Sequence, residues 1–454
     1  MGLRKPSPKG PTIVTVCGRK LTDHGRTLGT ITCSLLAMAY GTEARAQSET
    51  TLIQPAIPDG FDRGRNVSVL ARPRPDYDPL GITVNSFNVF PRVDVGVGAT
   101  NNVFLTNTNT TSDVFAFVNP SFSAKSDWSR HQVLLRGGAQ LRRFVDQPRR
   151  NENAWNLGAL GRLDASESLS ITAEGQVARQ FESPFSGEVQ SNLAVLSSYL
   201  RTFGQLRTEY QFGQGRALLV VDRTAFDFNS IKAANGARLD QSARNRHIAR
   251  VTGQGEYAFT PSLAVYGQLG YSRTTYTRTL SSGLANRGSD AARVIGGVNF
   301  DLAGLLRGTI GVGYVQRNYK SALYRDVGGV SVESKLEVFP TELTTVTVAV
   351  RRVLEDSSIG SSNAFFDNRA SVRIDHELLR NLLLNVTGEI ARQNYIDSPA
   401  RTNTYRVIGG GRYMVSRNFG IETQASYGNQ VGNGTGVGNR FSELRGQIGI
   451  VLQR

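Results

Sequence analysis

Charged side chains recur singly along this chain. Arg136, Arg142, Arg162, Arg201, Arg207, Arg250, Arg293, Arg317, Arg351, Arg373 and Arg412 are interspersed with Glu174, Glu256, Glu333 and Glu389. A guanidinium stays charged at any physiological pH and either pairs with a carboxylate or draws in anions. The spacing says which groups share a surface. Gln132, Arg136, Gln140 and Arg142 alternate with Val133, Leu135, Ala139 and Leu141; Arg201, Gln205, Arg207 and Glu209 oppose Leu200, Leu206 and Tyr210. Side chains of a strand point alternately to its two faces, so arginines and glutamates gather on a polar face behind an apolar one. Asp94, Glu209, Asp301, Glu337, Arg369, Asp375, Arg406 and Glu422 join the same set. Two outcomes stay open: cross-strand ion pairs that brace a wall, or a basic surplus whose field favours anionic solutes.

Catalytic and metal chemistry has less to work with. After residue 46 the only histidines are His131, His247 and His376, and both cysteines, Cys17 and Cys33, lie before it. No HExxH, nucleophile elbow or Cys/His cluster occurs, so no catalytic residue, metal ligand or cofactor is expected. The glycines of 432–438 lack a strand–helix context for phosphate and read as a loop.

The elements that would carry the charged face are clearest from Ala291 to Arg317. Ala292, Val294, Gly296, Val298, Phe300 and Leu302 share one face; Arg293, Gly297, Asn299 and Asp301 share the other, with Ile295 the exception. After 303–305 the pattern resumes: Leu306, Gly308, Ile310, Val312 and Tyr314 against Thr309, Gly311, Gly313 and Arg317, with Val315 the exception. Such runs recur to the end of the chain, about eighteen in all (sixteen to eighteen), each near the length a tilted strand needs to cross a bilayer. Pro120 interrupts the second run, where a bulge would accommodate it. The run from Arg216 is ambiguous, because 217–221 is apolar throughout.

The connections alternate short and long. Short ones fall at 127–130, 165–168, 213–215, 260–262, 303–305, 340–343, 377–381 and 416–418, with long polar loops between them. A transmembrane barrel has this asymmetry, tight turns on the periplasmic side and longer loops outside; a soluble sandwich has no reason for it. Phe212, Phe259, Phe300, Phe339 and Phe419 sit beside short turns, and Trp155, Tyr271, Tyr314, Tyr395, Tyr405 and Tyr427 beside long loops. They predict two interfacial aromatic girdles. The fold expected is therefore all-β, a transmembrane antiparallel up-and-down barrel.

Composition agrees. The net charge is +15 and the mean hydropathy -0.26. No run approaches the roughly 18 apolar residues of a membrane helix, while a polar lumen dilutes the hydropathy of a barrel. Basic residues lead into a mostly apolar stretch, Thr27–Tyr40, and then Ala44-Arg45-Ala46, so residues 1–46 read as a cleaved secretory signal peptide. It carries seven Lys/Arg and two Asp/Glu, so its removal lowers the net charge to +10. The remaining arginines are dispersed rather than clustered on a helix, which argues against nucleic acid. Residues 47–80, rich in Pro, Arg and Asp, read as an extended periplasmic segment able to fold back into the lumen; the barrel is expected over 81–454.

Gly81-Ile82, Phe87-Asn88-Val89-Phe90-Pro91, Asn101-Asn102-Val103-Phe104 and Ser126-Asp127-Trp128-Ser129-Arg130-His131 resemble the opening of a family of bacterial outer-membrane β-barrel porins. The similarity extends over most of the chain after residue 46. It implies an outer-membrane location, passage of small or anionic solutes, and contact with outer-membrane lipid, lipopolysaccharide and the barrel-assembly machinery. Members are often associated with exopolysaccharide production, which implies glycan export and a polysaccharide export system as partner. One departure is the ending Val451-Leu452-Gln453-Arg454, where many such barrels end on an aromatic residue. A closed structural or adhesin-like barrel is the alternative, and a barrel enzyme acting on lipid or glycan a third class.

Overall fold

The computed structural model describes residues 67–186, 195–232, 238–280, 282–302, 304–357, 362–434 and 440–454. The expected signal peptide and residues 47–66 lie outside them. After the short β1 (Ile82–Val84) come β2 (Phe87–Thr100), β3 (Asp113–Ser126), β4 (Gln132–Phe144), β5 (Glu152–Asp164), β6 (Leu169–Phe181), β7 (Ser198–Phe212) and β8 (Gly215–Phe228). A small hairpin, β9 (Ile231–Lys232) and β10 (Arg238–Leu239), decorates the next connection. Then follow β11 (Arg246–Thr260), β12 (Leu263–Tyr276), β13 (Ser289–Leu302), β14 (Leu306–Tyr319), β15 (Val327–Thr341) and β16 (Thr344–Asp356). The last are β17 (Ala364–Leu379), β18 (Leu382–Tyr395), β19 (Arg401–Met414), β20 (Phe419–Asn433) and β21 (Phe441–Gln453). Each of the eighteen runs read from the sequence is one long strand here. The glycine-rich loop starts later than expected, since β20 continues to Asn433 and residues 435–439 lie outside the described set.

Strands β2–β8 and β11–β21 pair antiparallel with their neighbours in chain order, and β2 pairs with β21, closing the sheet. Below the end of β21, β1 continues its rung along β2, so the exposed edge at the seam is covered. Following paired Cα atoms once round the wall returns to β2 displaced by about 22 residues. With strands about 4.8 Å apart and rising about 3.4 Å per residue, that stagger tilts them roughly 40° and sets the backbone about 18 Å from the axis. Side chains cannot fill so wide a barrel.

The apolar face points outward. Val294, Leu302, Val312, Tyr314, Leu269, Val386 and Ile450 are all exposed, as side chains that meet lipid must be in an isolated chain. The ambiguous run resolves the same way: Leu219 and Val221 face out, while Leu218 and Val220 are buried inside. Pro120 sits in β3 without a bulge. Pairing to β4 lapses between Val118 and Ser121 and resumes in the same register, so the missing N–H costs rungs rather than a shift. Two aromatics leave their expected girdles. Phe339 is buried under the Arg307 guanidinium, its ring centroid 5.1 Å away, beside a register irregularity that follows Val338. Tyr395 turns inward onto Phe365, 5.3 Å between centroids.

Candidate functional site

The inner wall is a lattice of charge pairs. Some join residues two apart on one strand, which share a face: Arg92–Asp94 at 2.7 Å, Arg162–Asp164, Arg207–Glu209 and Arg373–Asp375 each at 2.8 Å. Others cross strands: Arg142–Glu152 at 2.9 Å, Arg250–Asp222 at 2.8 Å, Arg307–Glu337 at 2.6 Å, Arg351–Asp367 at 2.8 Å and Arg369–Glu389 at 2.7 Å. Arg293 reaches over β14 to Glu333, 2.6 Å, and Arg136 reaches Glu174 over β5. Arg412 meets Glu422 at 3.3 Å, Glu256 meets Arg216 at 2.8 Å, and Arg317 meets Asp356. Arg201 donates to Gln176 at 2.8 Å and lies over Phe203. By alternation with the exposed apolar positions, these side chains lie on the inner face of their strands. Their positions are spread around the wall rather than gathered at one point.

Alternation did not reveal Arg92, Glu152, Arg216, Asp222, Arg307, Asp356, Asp367, Glu443 and Arg445, most of them near strand ends, where the periodic signal is short. On β8 and β11–β15 the pairs fuse into a buried network. Arg216 donates to Glu256, Gln254 to Glu256, Gln268 to Gln254, and Arg293 to Gln268 and Glu333. Asn299 also donates to Glu256. Tyr266 reaches across this wall to Gly311, where a Cβ would come within 2.2 Å of its hydroxyl and force the ring to shift.

Both mouths carry inward-folded chain. On the long-loop side, β16 leaves β15 after the Val332–Arg352 pair, and the ends of β16 and β17 bend over the lumen. Leu354, Ala364 and Phe366 then pack on the inward-facing Val315 and Val327. Asp356 meets Arg317 on β14, accepts from the Tyr276 hydroxyl on β12 at 3.2 Å and lies 3.9 Å from Arg246 on β11. From the opposite wall of the same mouth, the described start of the β6–β7 connection, residues 182–186, reaches across the lumen. Phe185 lies 5.1 Å from Phe441 and 4.9 Å from the Arg406 guanidinium, and the Ser186 carbonyl accepts from Gln393.

Glu182 anchors the start of that connection through Arg244, 2.5 Å apart. Burial pushes its carboxyl up, but the charge and hydrogen bonds of Arg244 outweigh this and hold it below the usual carboxylate range. A depressed folded-state value stabilises above the unfolded-state value and is lost as pH falls through the folded one. The clamp is therefore expected to hold on mild acidification. Conductance measured at pH 7.5 and at pH 5 should give the same loop-closed level, and a new, larger level at pH 5 would contradict the assignment.

At the short-turn mouth, residues 67–78 fold back against β16–β19. Val69 is fully buried against Leu383 and Met414, and its N–H donates to the Thr345 hydroxyl at 2.9 Å. Arg74 and Arg72 converge on Glu377 at 2.7 and 3.3 Å, and Arg417 holds the Pro75 carbonyl.

The histidines lie apart. His131 takes a left-handed backbone (φ 68°) in the β3–β4 turn, and its Nδ1 accepts from the Asp164 N–H. His376 contacts the Thr344 hydroxyl at the opposite side of the same rim, and His247 lies near the long-loop end of β11.

Among solved structures the chain is similar to OccAB4 of Acinetobacter baumannii, with 10% identity over 84% of this chain and 100% of that one and a TM-score of 0.44. It is also similar to OpdL of Pseudomonas aeruginosa, with 10% identity, 82% and 99% coverage and a TM-score of 0.42. The siderophore receptor PirA from Pseudomonas aeruginosa gives 9% identity, 81% and 80% coverage and a TM-score of 0.42. At these scores the likenesses carry no argument about function. No curated protein matches the chain in sequence. The sequence family is decided by residues 74–454, which match the family model described as "Putative beta-barrel porin 2": the chain belongs to that family of outer-membrane β-barrels.

Proposed function

We propose that the barrel is a passive channel for small polar solutes with a weak preference for anions, reached after export directed by residues 1–46. The observation that carries this reading is the inner wall: an eighteen-stranded barrel too wide to fill, lined throughout by charged and amide side chains. Because most inward arginines face a carboxylate, any anion bias comes from a small surplus of base and the reach of guanidinium donors, not from a bare cationic ring. Screening over about 8–10 Å confines it to ions near the wall. A closed structural barrel is the second reading, favoured by the chain folded into both mouths. Glycan export rests on the family association alone.

The test is the reversal potential across a salt gradient in planar bilayers. Weak anion selectivity that falls as salt rises is expected. Changing Arg293, Arg351 and Arg373 together to Gln removes three positive charges, takes the arginine from Glu333 and Asp375 and leaves Asp367 with Arg369 alone, so selectivity should move to cations. Cation selectivity of the parent protein would overturn the anion reading.

A further inference from the structure

Across β16–β19 the outer surface carries arginines that meet no carboxylate among the described residues. One line of paired Cα positions runs Arg352, Asn368, Arg392, Asn403 across β16–β19. The line two residues nearer the membrane centre is Val350, Ala370, Ile390, Tyr405, and its Val350, Ile390 and Tyr405 are exposed to lipid. Positions two apart share a face, so Arg392 and Asn403 also point outward, one step above the lipid-facing aromatic level on the long-loop side, while Arg352 lies half-buried over the Phe366 ring where β16 leaves β15. The next step up adds Asn394 opposite Arg401.

Arg392 and Arg401 are exposed; Arg392 donates to Asn394 at 3.2 Å, and Arg352 is steadied by the Val330 carbonyl and the Asn368 amide. Among the described residues, Asp356 at the end of β16 turns inward to Arg317, and Asp397 in the β18–β19 connection is met by Arg325 at 3.6 Å. On β12 the arrangement differs: outward Arg273 is neutralised by Asp290 at 2.7 Å.

We propose that this row is a docking site for the phosphate groups of lipopolysaccharide, the phosphorylated glycolipid of the external leaflet. It rests on the outer-membrane location and not on the channel reading. Guanidinium forks match phosphate oxygens with paired hydrogen bonds, and the Asn394 and Asn403 amides beside them offer further donors to phosphate and sugar oxygens. Arg392 and Arg401, on neighbouring strands and two residues apart in height, stand about 8 Å from each other, a span that two phosphates of one glycolipid can occupy. The Ile390–Tyr405 surface beneath receives the acyl chains.

The full chain, refolded in detergent micelles and checked by heat-modifiable migration, is titrated with lipopolysaccharide, with the same material stripped of phosphate, and with phosphatidylglycerol. Changing Arg392 and Arg401 together to Gln is expected to weaken lipopolysaccharide binding about tenfold or more, while Arg273→Gln leaves it at the parent level. The paired Lys variant should keep most of the binding, which separates charge loss from misfolding. Stripped material should bind like the Gln variant. Parent-level binding by the Gln variant or by stripped lipopolysaccharide would overturn the proposal, as would phosphatidylglycerol binding as tightly as lipopolysaccharide. Conductance of the Gln variant should match the parent. A barrel that binds lipopolysaccharide through these arginines but conducts nothing would sink the channel reading alone.

Discussion

Val312→Arg is expected to stop the chain from assembling as a heat-modifiable barrel. Val312 is 53% exposed and stands between Ile310 and Tyr314 on the outward face of β14. An arginine there must hold its charge in hydrocarbon, at about 2–4 kcal/mol near the midplane. Marginal net stability leaves little to absorb that. The control must be an inward position with room and a partner. Alternation alone marks Asn299 as tolerant, but it is 3% exposed and packed against Glu256, so an added guanidinium would be crowded. Ser170 is the better control: it faces inward, is half-buried, and its Cα partners on β5 and β7 are Asp164 and Glu209. Ser170→Arg should refold with near-parental yield. Equal loss at both sites would show the facing to be wrong.

The facing was legible because lipid and water impose opposite demands on alternate residues. Ile295, Val315, Leu218 and Val220 broke the pattern, and each is a buried inward residue. Val315 earns its apolar side chain under the bent tip of β16–β17. What the sequence hid depends on distant parts of the chain. Arg293 and Glu333 are separated by a whole strand, and their meeting depends on register around a staggered wall, which no local window contains. The inward course of the β6–β7 connection was equally hidden: Phe185 reads as a loop residue until Phe441 and Arg406 are brought opposite it. Tyr395 and Phe339 misled because strand ends bend, so proximity to a loop or turn does not place a ring at the lipid boundary.

Releasing the N-terminal segment should raise conductance more than any change in the wall. Its hold on the short-turn mouth centres on Glu377, whose carboxylate takes Arg74 and Arg72, with side chains of Arg74 and Glu377 only 4% and 3% exposed. Glu377→Gln removes the charge that both guanidiniums were folded around. Breaking a buried pair from one side typically costs about 3–5 kcal/mol, because the remaining charge is left without compensation. That exceeds what Val69, a single small apolar anchor, contributes at about 1.5–3 kcal/mol. The segment should therefore leave its site in the variant while the barrel, closed independently by β2 and β21, stays folded. Single-channel recordings should show a larger open level in Glu377→Gln, approaching that of a chain lacking residues 47–80. A deletion that leaves the open level unchanged would place the segment outside the current path. Silence from parent, variant and deletion alike would decide for a closed structural barrel, with the inward loops of the opposite mouth as its seal.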